Sequence, residues 1–325
     1  MRPLPLSRYY SGRRVWGVYR LLAPSLTLPA EYEEYRKSRP YPVTARADKK
    51  LTVADVARAM RSFYEGTKYD GTAGLAAGPW GNPDHVSTGS KSGAVKGNWE
   101  RTIGLWRTSD SYIVQSRSWL TDGKGGVLWC ASSQSTASSA MPHSALPPRN
   151  RCPQTFSRRW GAHAAPYTVY VPFATGMRTL PSMTLGHPAK LDKTTLFWAV
   201  RYLANLAKLK HDRMYVELQS VQARLYNASL LVVSAADHSD GTADTLSKLY
   251  EANARNVLRS LWELTDELMF KYADGYINEV SPSRGNDELR VSPDYYPDWW
   301  LAKVGYTDGP PPVPKAGAHA TSKQV

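Results

Sequence analysis

The 325-residue sequence predicts an α+β fold, on three observations. Strand-like alternation runs from Ser109 to Leu120 and resumes at Gly126–Ala131 and Tyr167–Phe173. From Thr194 onward the pattern changes to apolar positions three and four apart, the period of a helix with one buried stripe. Between Tyr64 and His85 five glycines and two prolines forbid either regular element. Strands followed by long amphipathic helices are the pattern of a sheet covered by helices.

In chain order, Val15, Tyr19 and Leu22 fall near helical spacing within Tyr9–Leu28, an element that Pro24 and Pro29 end. Glu31–Pro42 is polar and bounded by proline, so it reads as extended or turn. Thr52–Glu65 predicts a helix with Thr52 as cap, Asp55 three residues on, and a stripe of Val53, Val56, Ala57, Met60 and Phe63 or Tyr64. In Ser109–Leu120, Tyr112, Val114, Ser116 and Ser118 face one way; Ile113, Gln115, Arg117 and Trp119 face the other. Thr121–Gly125 is a turn, which makes a hairpin with Val127–Cys130. Residues 132–161 are rich in Ser and Ala and contain no acid, so they read as a disordered insertion between neighbouring strands. Helices are expected from Thr194, from Asp212, and around Leu246–Leu268, with a loop at Ser234–Gly241 before the last; the tail 311–325 is expected to be disordered.

Composition narrows the partners. The net charge of +13 is concentrated in residues 1–50, with eleven basic and four acidic side chains, and in 101–163, with eight and two. No Lys/Arg run exceeds two, so the footprint of a nucleic-acid partner is missing. No apolar stretch reaches the roughly 18 residues of a membrane span. Two cysteines make neither a disulfide framework nor a four-cysteine metal site, and they suit a reducing, intracellular compartment. There is no His-Glu-x-x-His, no Gly-x-Ser-x-Gly and no phosphate loop, so neither a metal nor another cofactor is expected.

Candidate site residues are few. Cys130 lies in an apolar strand and reads as a structural thiol, and Cys152 falls in the insertion. Arg117 sits beside Gln115 on one strand face and calls for a carboxylate, either a structural partner or one from a substrate. Asp84 and His85 close the glycine-rich stretch, where backbone can approach a ligand closely; the ordinary reading there is a turn and a solvated His.

The runs Asp48–Val56, Tyr64-Glu-Gly-Thr67, Gly74-Leu-Ala-Ala-Gly-Pro79 with Gly81-Asn-Pro83, Gln115-Ser-Arg-Ser-Trp119, Gly125–Trp129, Tyr170-Val-Pro-Phe173, Leu196–Ala199, Trp262–Leu264, Lys271–Tyr276 and Pro297–Trp300 follow one another in order. Together they resemble the dipeptidase A family, a cysteine-type branch of the N-terminal-nucleophile hydrolases related to secernins. The resemblance implies a four-layer αββα sandwich and hydrolysis of dipeptides by an N-terminal Cys followed by Thr. The thiolate attacks the peptide carbonyl and its own α-amino group acts as base. No Cys-Thr pair occurs in the 325 residues. The family's nucleophile and its neighbouring Arg, Asn and Asp are therefore expected upstream of Met1. The sandwich would then be incomplete, residues 1–310 would form the C-terminal part of one peptidase domain, and the chain would be inactive alone. Gln115, Arg117 and Asp84 remain candidates for substrate binding. A non-catalytic interaction or scaffold protein derived from the same fold is the alternative.

Overall fold

The computed structural model describes residues 11–31, 41–85, 99–105, 108, 110–132, 168–177, 191–282, 287–307 and 309. Within them, helices and small antiparallel sheets alternate: α1 (Gly12–Leu22), α2 (Val53–Arg61), β1 (Asp110–Ser116), α3 (Asp122–Gly125), β2 (Gly126–Ser132), β3 (Val171–Ala174), α4 (Leu196–Ala207), α5 (His211–His238), α6 (Ala243–Lys271), β4 (Tyr276–Pro282), β5 (Asp287–Pro293) and α7 (Asp298–Lys303). The expected α+β class is met. Among the described residues the sheets are one of three strands, ordered β1-β2-β3, and one of two, β4-β5. The expected insertion at 132–161 and the tail at 311–325 lie almost wholly outside the described residues, as does most of Glu31–Pro42.

The central hairpin forms as its alternation predicts. Ile113 pairs with Trp129 and Val114 with Leu128, and β2 pairs in turn with β3, Leu128 against Phe173. Ile113 and Trp129 are buried on the helix side, where the Trp129 ring meets Tyr226 of α5 at 5.7 Å. Tyr112 and Val114 remain exposed on the opposite face. Strand β1 ends at Ser116, so Arg117 follows the strand instead of lying within it. The chain turns there, and Trp119, expected on the same face as Ile113, is 76% exposed.

Helices α4, α5 and α6 supply most of the remaining core. Leu203, Leu218, Leu246, Tyr250, Val257, Leu261 and Leu268 are fully buried in one cluster with Trp129 and Val127. Thr52 and Asp55 form the expected capping box on α2, with Thr52 Oγ1 accepting from the Asp55 amide and Asp55 accepting from the Thr52 amide. That helix stops at Arg61, because Ser62 turns extended and Tyr64 takes a left-handed φ of 68°.

Two expectations are corrected, and one region holds structure that was not expected. The loop expected at Ser234–Gly241 is helical through His238, because Val233 and Ala236 continue the buried stripe of α5. In α1, Val15 is exposed and the buried positions are Gly12, Arg13 and Gly17: the helix packs through an ion-paired arginine and two glycines, not through its apolar stripe. Arg13 Nε reaches Glu100 at 2.7 Å, and its guanidinium lies 3.4 Å from the centroid of the Tyr69 ring. Residues 276–303 also hold a hairpin and a short helix that the periodicity did not announce, since β4 and β5 are mostly exposed on both faces.

The turn between β1 and β2 meets the end of β3 through two glycines. Gly176 donates its amide to Gly123 O at 2.9 Å. A Cβ on Gly176 would lie 2.8 Å from the Gly123 backbone, whereas one on Gly123 would find nothing closer than 3.7 Å. Gly176→Ala is therefore expected to destabilise by about 1–3 kcal/mol, the usual cost of overpacking against backbone that cannot swing away. Gly123→Ala should change stability by less than about 0.5 kcal/mol, as typical of substitutions that disturb no packed feature. Chemical denaturation of the two variants against the parent checks the asymmetry.

Candidate functional site

The glycine-rich stretch is a built loop. Asp70 accepts from the Gly66 and Thr72 amides at 2.9 Å each, and Gly71 N donates to Phe63 O at 2.9 Å. Gly66, Gly74, Gly78 and Gly81 all take positive φ, which explains the glycine density of the run. The Tyr64 ring, 1% exposed, donates its hydroxyl to Arg101 O at 2.8 Å.

The far end of the loop is held by charge. Asp84 is buried, and Lys208 Nζ lies 3.0 Å from its carboxylate. Burial pushes the Asp84 carboxyl up, with Lys208 opposing that shift. His85 is half-buried and packs 4.9 Å from the Trp99 ring, and burial pushes its imidazole pKa down. Two residues past Lys208, Lys210 Nζ and Arg213 Nη2 reach Asp294 at 2.8 and 2.7 Å, and the Asp294 side chain is wholly buried. Trp80 joins the two anchorages: its carbonyl accepts from Asp212 N at 3.0 Å and its ring packs on Tyr296 at 5.7 Å. The start of α5 thus clamps the loop and the segment after β5 together.

Arg117 and Gln115 lie in a different neighbourhood, and the structure brings neither into contact with Asp84. The carboxylate that Arg117 faces is that of Asp237, at 2.6 Å from Nη1; Nη2 donates to Lys124 O. Lys124 Nζ in turn donates to Asp237 O at 2.9 Å and Ser239 O at 3.1 Å, so the β1–β2 turn caps the C-terminal end of α5 with cations, the favoured sign there. Gln115 Oε1 accepts from Trp129 Nε1 at 3.2 Å. Cys130 is half-buried in the middle of β2, opposite Tyr112 on one side and Val171 on the other. Cys152 lies outside the described residues.

A second polar cluster stands where α2 ends. Arg61 lies over the Tyr170 ring at 5.3 Å, the Tyr170 hydroxyl is 3.0 Å from Ser111 Oγ, and Tyr215 stacks on His211 at 4.7 Å. His211, 3% exposed, has its pKa pushed down to about 4 by burial, with Asp70 opposing. Sequence reasoning missed this cluster because its members come from four distant segments and only the fold joins them.

With this geometry in place, the sequence comparisons show what part of the chain is similar to. Residues 5–157 match the model of peptidase family C69. The resemblance to the dipeptidase family read from the motif runs is shown over that stretch, which contains α1, α2, β1, α3, β2 and the glycine-rich loop. More particularly, the chain is similar to a protein described as a probable dipeptidase from Latilactobacillus sakei, 31% identical over 122 residues, covering 38% of this chain and 21% of that one. It is also similar to dipeptidase A of Lactobacillus helveticus, 26% identical over 135 residues, covering 41% and 24%. The aligned part thus spans about a fifth to a quarter of the length of these curated relatives. No helix among the described residues is long and apolar enough to cross a membrane.

Two expected outcomes follow from this geometry. Arg117→Met strands Asp237, so it should cost about 2–3 kcal/mol, somewhat under the range for fully buried pairs because Asp237 keeps 23% side-chain exposure. In a double-mutant cycle with Asp237→Asn the coupling should exceed about 1 kcal/mol; a coupling near zero would show that Arg117 does not depend on Asp237. The second outcome concerns pH. The folded pKa of His211 lies near 4 against the ordinary imidazole value of 6.5, so between these values the unfolded chain binds the extra proton. Stability from this group is complete above about pH 6.5 and is lost as pH falls towards 4, at up to about 1.4 kcal/mol per pH unit. His211→Asn should flatten that slope in urea titrations collected between those pH values.

Proposed function

We propose that this chain belongs functionally to a dipeptidase of the cysteine N-terminal-nucleophile type, and that it supplies the part of the fold that shapes the substrate site. The observation that carries this reading is the C69 match across residues 5–157, together with two relatives described as dipeptidases. In that chemistry a terminal cysteine needs both its thiolate and a free α-amino group, whose pKa near 8 suits proton transfer at neutral pH. Neither cysteine of this chain meets the requirement. Cys130 and Cys152 are internal, so the nitrogen of each is tied up in a peptide bond. Cys130 is also held within the paired strand β2. In this reading the attacking group lies outside the 325 residues, the chain alone is inactive, and the hairpin β1–β2 belongs to one sheet of a four-layer αββα sandwich. Gln115, Arg117 and Asp84 position the walls of the site through Trp129, Asp237 and Lys208.

The exposed hairpin β4–β5, with Val280, Leu289 and Val291 on its surface, favours a second reading in which the scaffold serves as an interaction protein without turnover. Purified chain assayed against a panel of dipeptides, with and without a thiol-alkylating reagent, tests both. The expected result is no hydrolysis. Thiol-sensitive turnover would overturn the assignment of the nucleophile outside this chain and the scaffold reading together.

A further inference from the structure

Buried and half-buried cations in this structure are matched to carboxylates with some regularity. Arg13 has Glu100, Arg117 has Asp237, Lys208 has Asp84, and Lys210 shares Asp294 with Arg213. Arg61 breaks the pattern. Its Nε is closed to solvent and has no hydrogen-bond partner. Among the described residues no carboxylate pairs with its guanidinium. The nearest acid along the chain, Glu65, accepts from Ser62 Oγ at 2.6 Å and faces Arg20 at 4.0 Å. What surrounds Arg61 is aromatic and hydroxylic: the Tyr170 face at 5.3 Å, and the Tyr170 hydroxyl held 3.0 Å from Ser111 Oγ and 3.5 Å from Met60 Sδ. Tyr215 stands close enough for its charge state to be felt by Arg61, and burial depresses the guanidinium pKa.

Such an arrangement is costly for the protein by itself. An unpaired guanidinium withdrawn from water loses solvation that a cation–π contact returns only in part. The residue is half-buried. A carboxylate is the complement of the guanidinium fork, because it accepts two parallel hydrogen bonds and supplies the missing charge. A neutral amide supplies neither.

We propose that Arg61, lying against the face of the Tyr170 ring, is a receptor for the carboxylate of a small ligand, the free C-terminal carboxylate of a dipeptide. The identity of the ligand rests on the dipeptidase reading above; the carboxylate site rests on the geometry alone. Arg61 would fix one end of the dipeptide.

The test is binding to the purified chain, read by calorimetry or chemical-shift titration. The probes are glycyl-sarcosine, whose N-methylated bond resists cleavage, its C-terminal amide, and acetate. The free acid should bind roughly tenfold or more tightly than the amide, as expected when a site built for a charged partner meets an analogue lacking it. Arg61→Met should lower affinity for the free acid to the level of the amide and leave the melting temperature unchanged or higher, since it removes an uncompensated charge. Arg61→Lys, which keeps charge without the fork, should fall between the two. Equal binding of acid and amide, unchanged binding in Arg61→Met, or a melting temperature several degrees lower in that variant would overturn the receptor and leave Arg61 as a packing residue. Acetate bound as tightly as glycyl-sarcosine would retain the carboxylate site and overturn its assignment to a dipeptide. Failure of the dipeptidase reading is thereby distinguished from failure of the site.

Discussion

Two buried aspartates hold the ends of this structure to one helix junction. Asp84 closes the glycine-rich loop and Asp294 follows the last strand, yet both meet cations between Lys208 and Arg213. Three cations at the start of α5 run against the helix dipole, which favours negative charge at that end. The aspartates offset this, and each cation spares its carboxylate from being buried alone, the situation that costs most. Trp80 fills the space between, with Lys210 and Arg213 each within 6 Å of its ring. Loop and C-terminal segment are therefore held as one unit, and α5 carries both.

This changes the meaning of the glycines. In a phosphate-binding loop, glycines leave backbone amides free for a ligand. Here several of those amides are already used: Gly66 and Thr72 donate to Asp70, Gly71 to Phe63, and Gly78 to Leu75. The positive φ values serve a tight path between α2 and α5. At the end of α2 a different situation holds: Arg61 lies against the Tyr170 ring with its Nε unpartnered.

Local pattern made some of the fold legible and long-range pairing hid the rest. The α2 capping box, the alternation of β1 and the stripes of α4 to α6 depend on residues within a few positions of one another, and they appear as the sequence suggests. The departures share one cause. Arg13 is buried because Glu100 lies 87 positions away; Arg117 is satisfied by Asp237 at a separation of 120; Asp84 is drawn inside by Lys208. A single sequence shows that such a residue needs a partner but not which one is met. The β4–β5 hairpin escaped for a different reason. With both faces largely in solvent it has no strict apolar alternation, and its register is set by backbone pairing alone.

Helix α5 has 28 residues, and at 1.5 Å per residue it reaches about 42 Å. Near its first turn are the cations that secure the segment after β5; near its last is Asp237, which secures the hairpin. The helix therefore acts as a ruler with a mark at each end. Exposed positions such as Val216 and Leu231 can change without moving either mark. A single inserted or deleted residue cannot be absorbed so easily, because it turns one end by about 100° relative to the other and swings one ion pair away from its partner. Length, more than composition, is the property of α5 that the rest of the molecule has to respect.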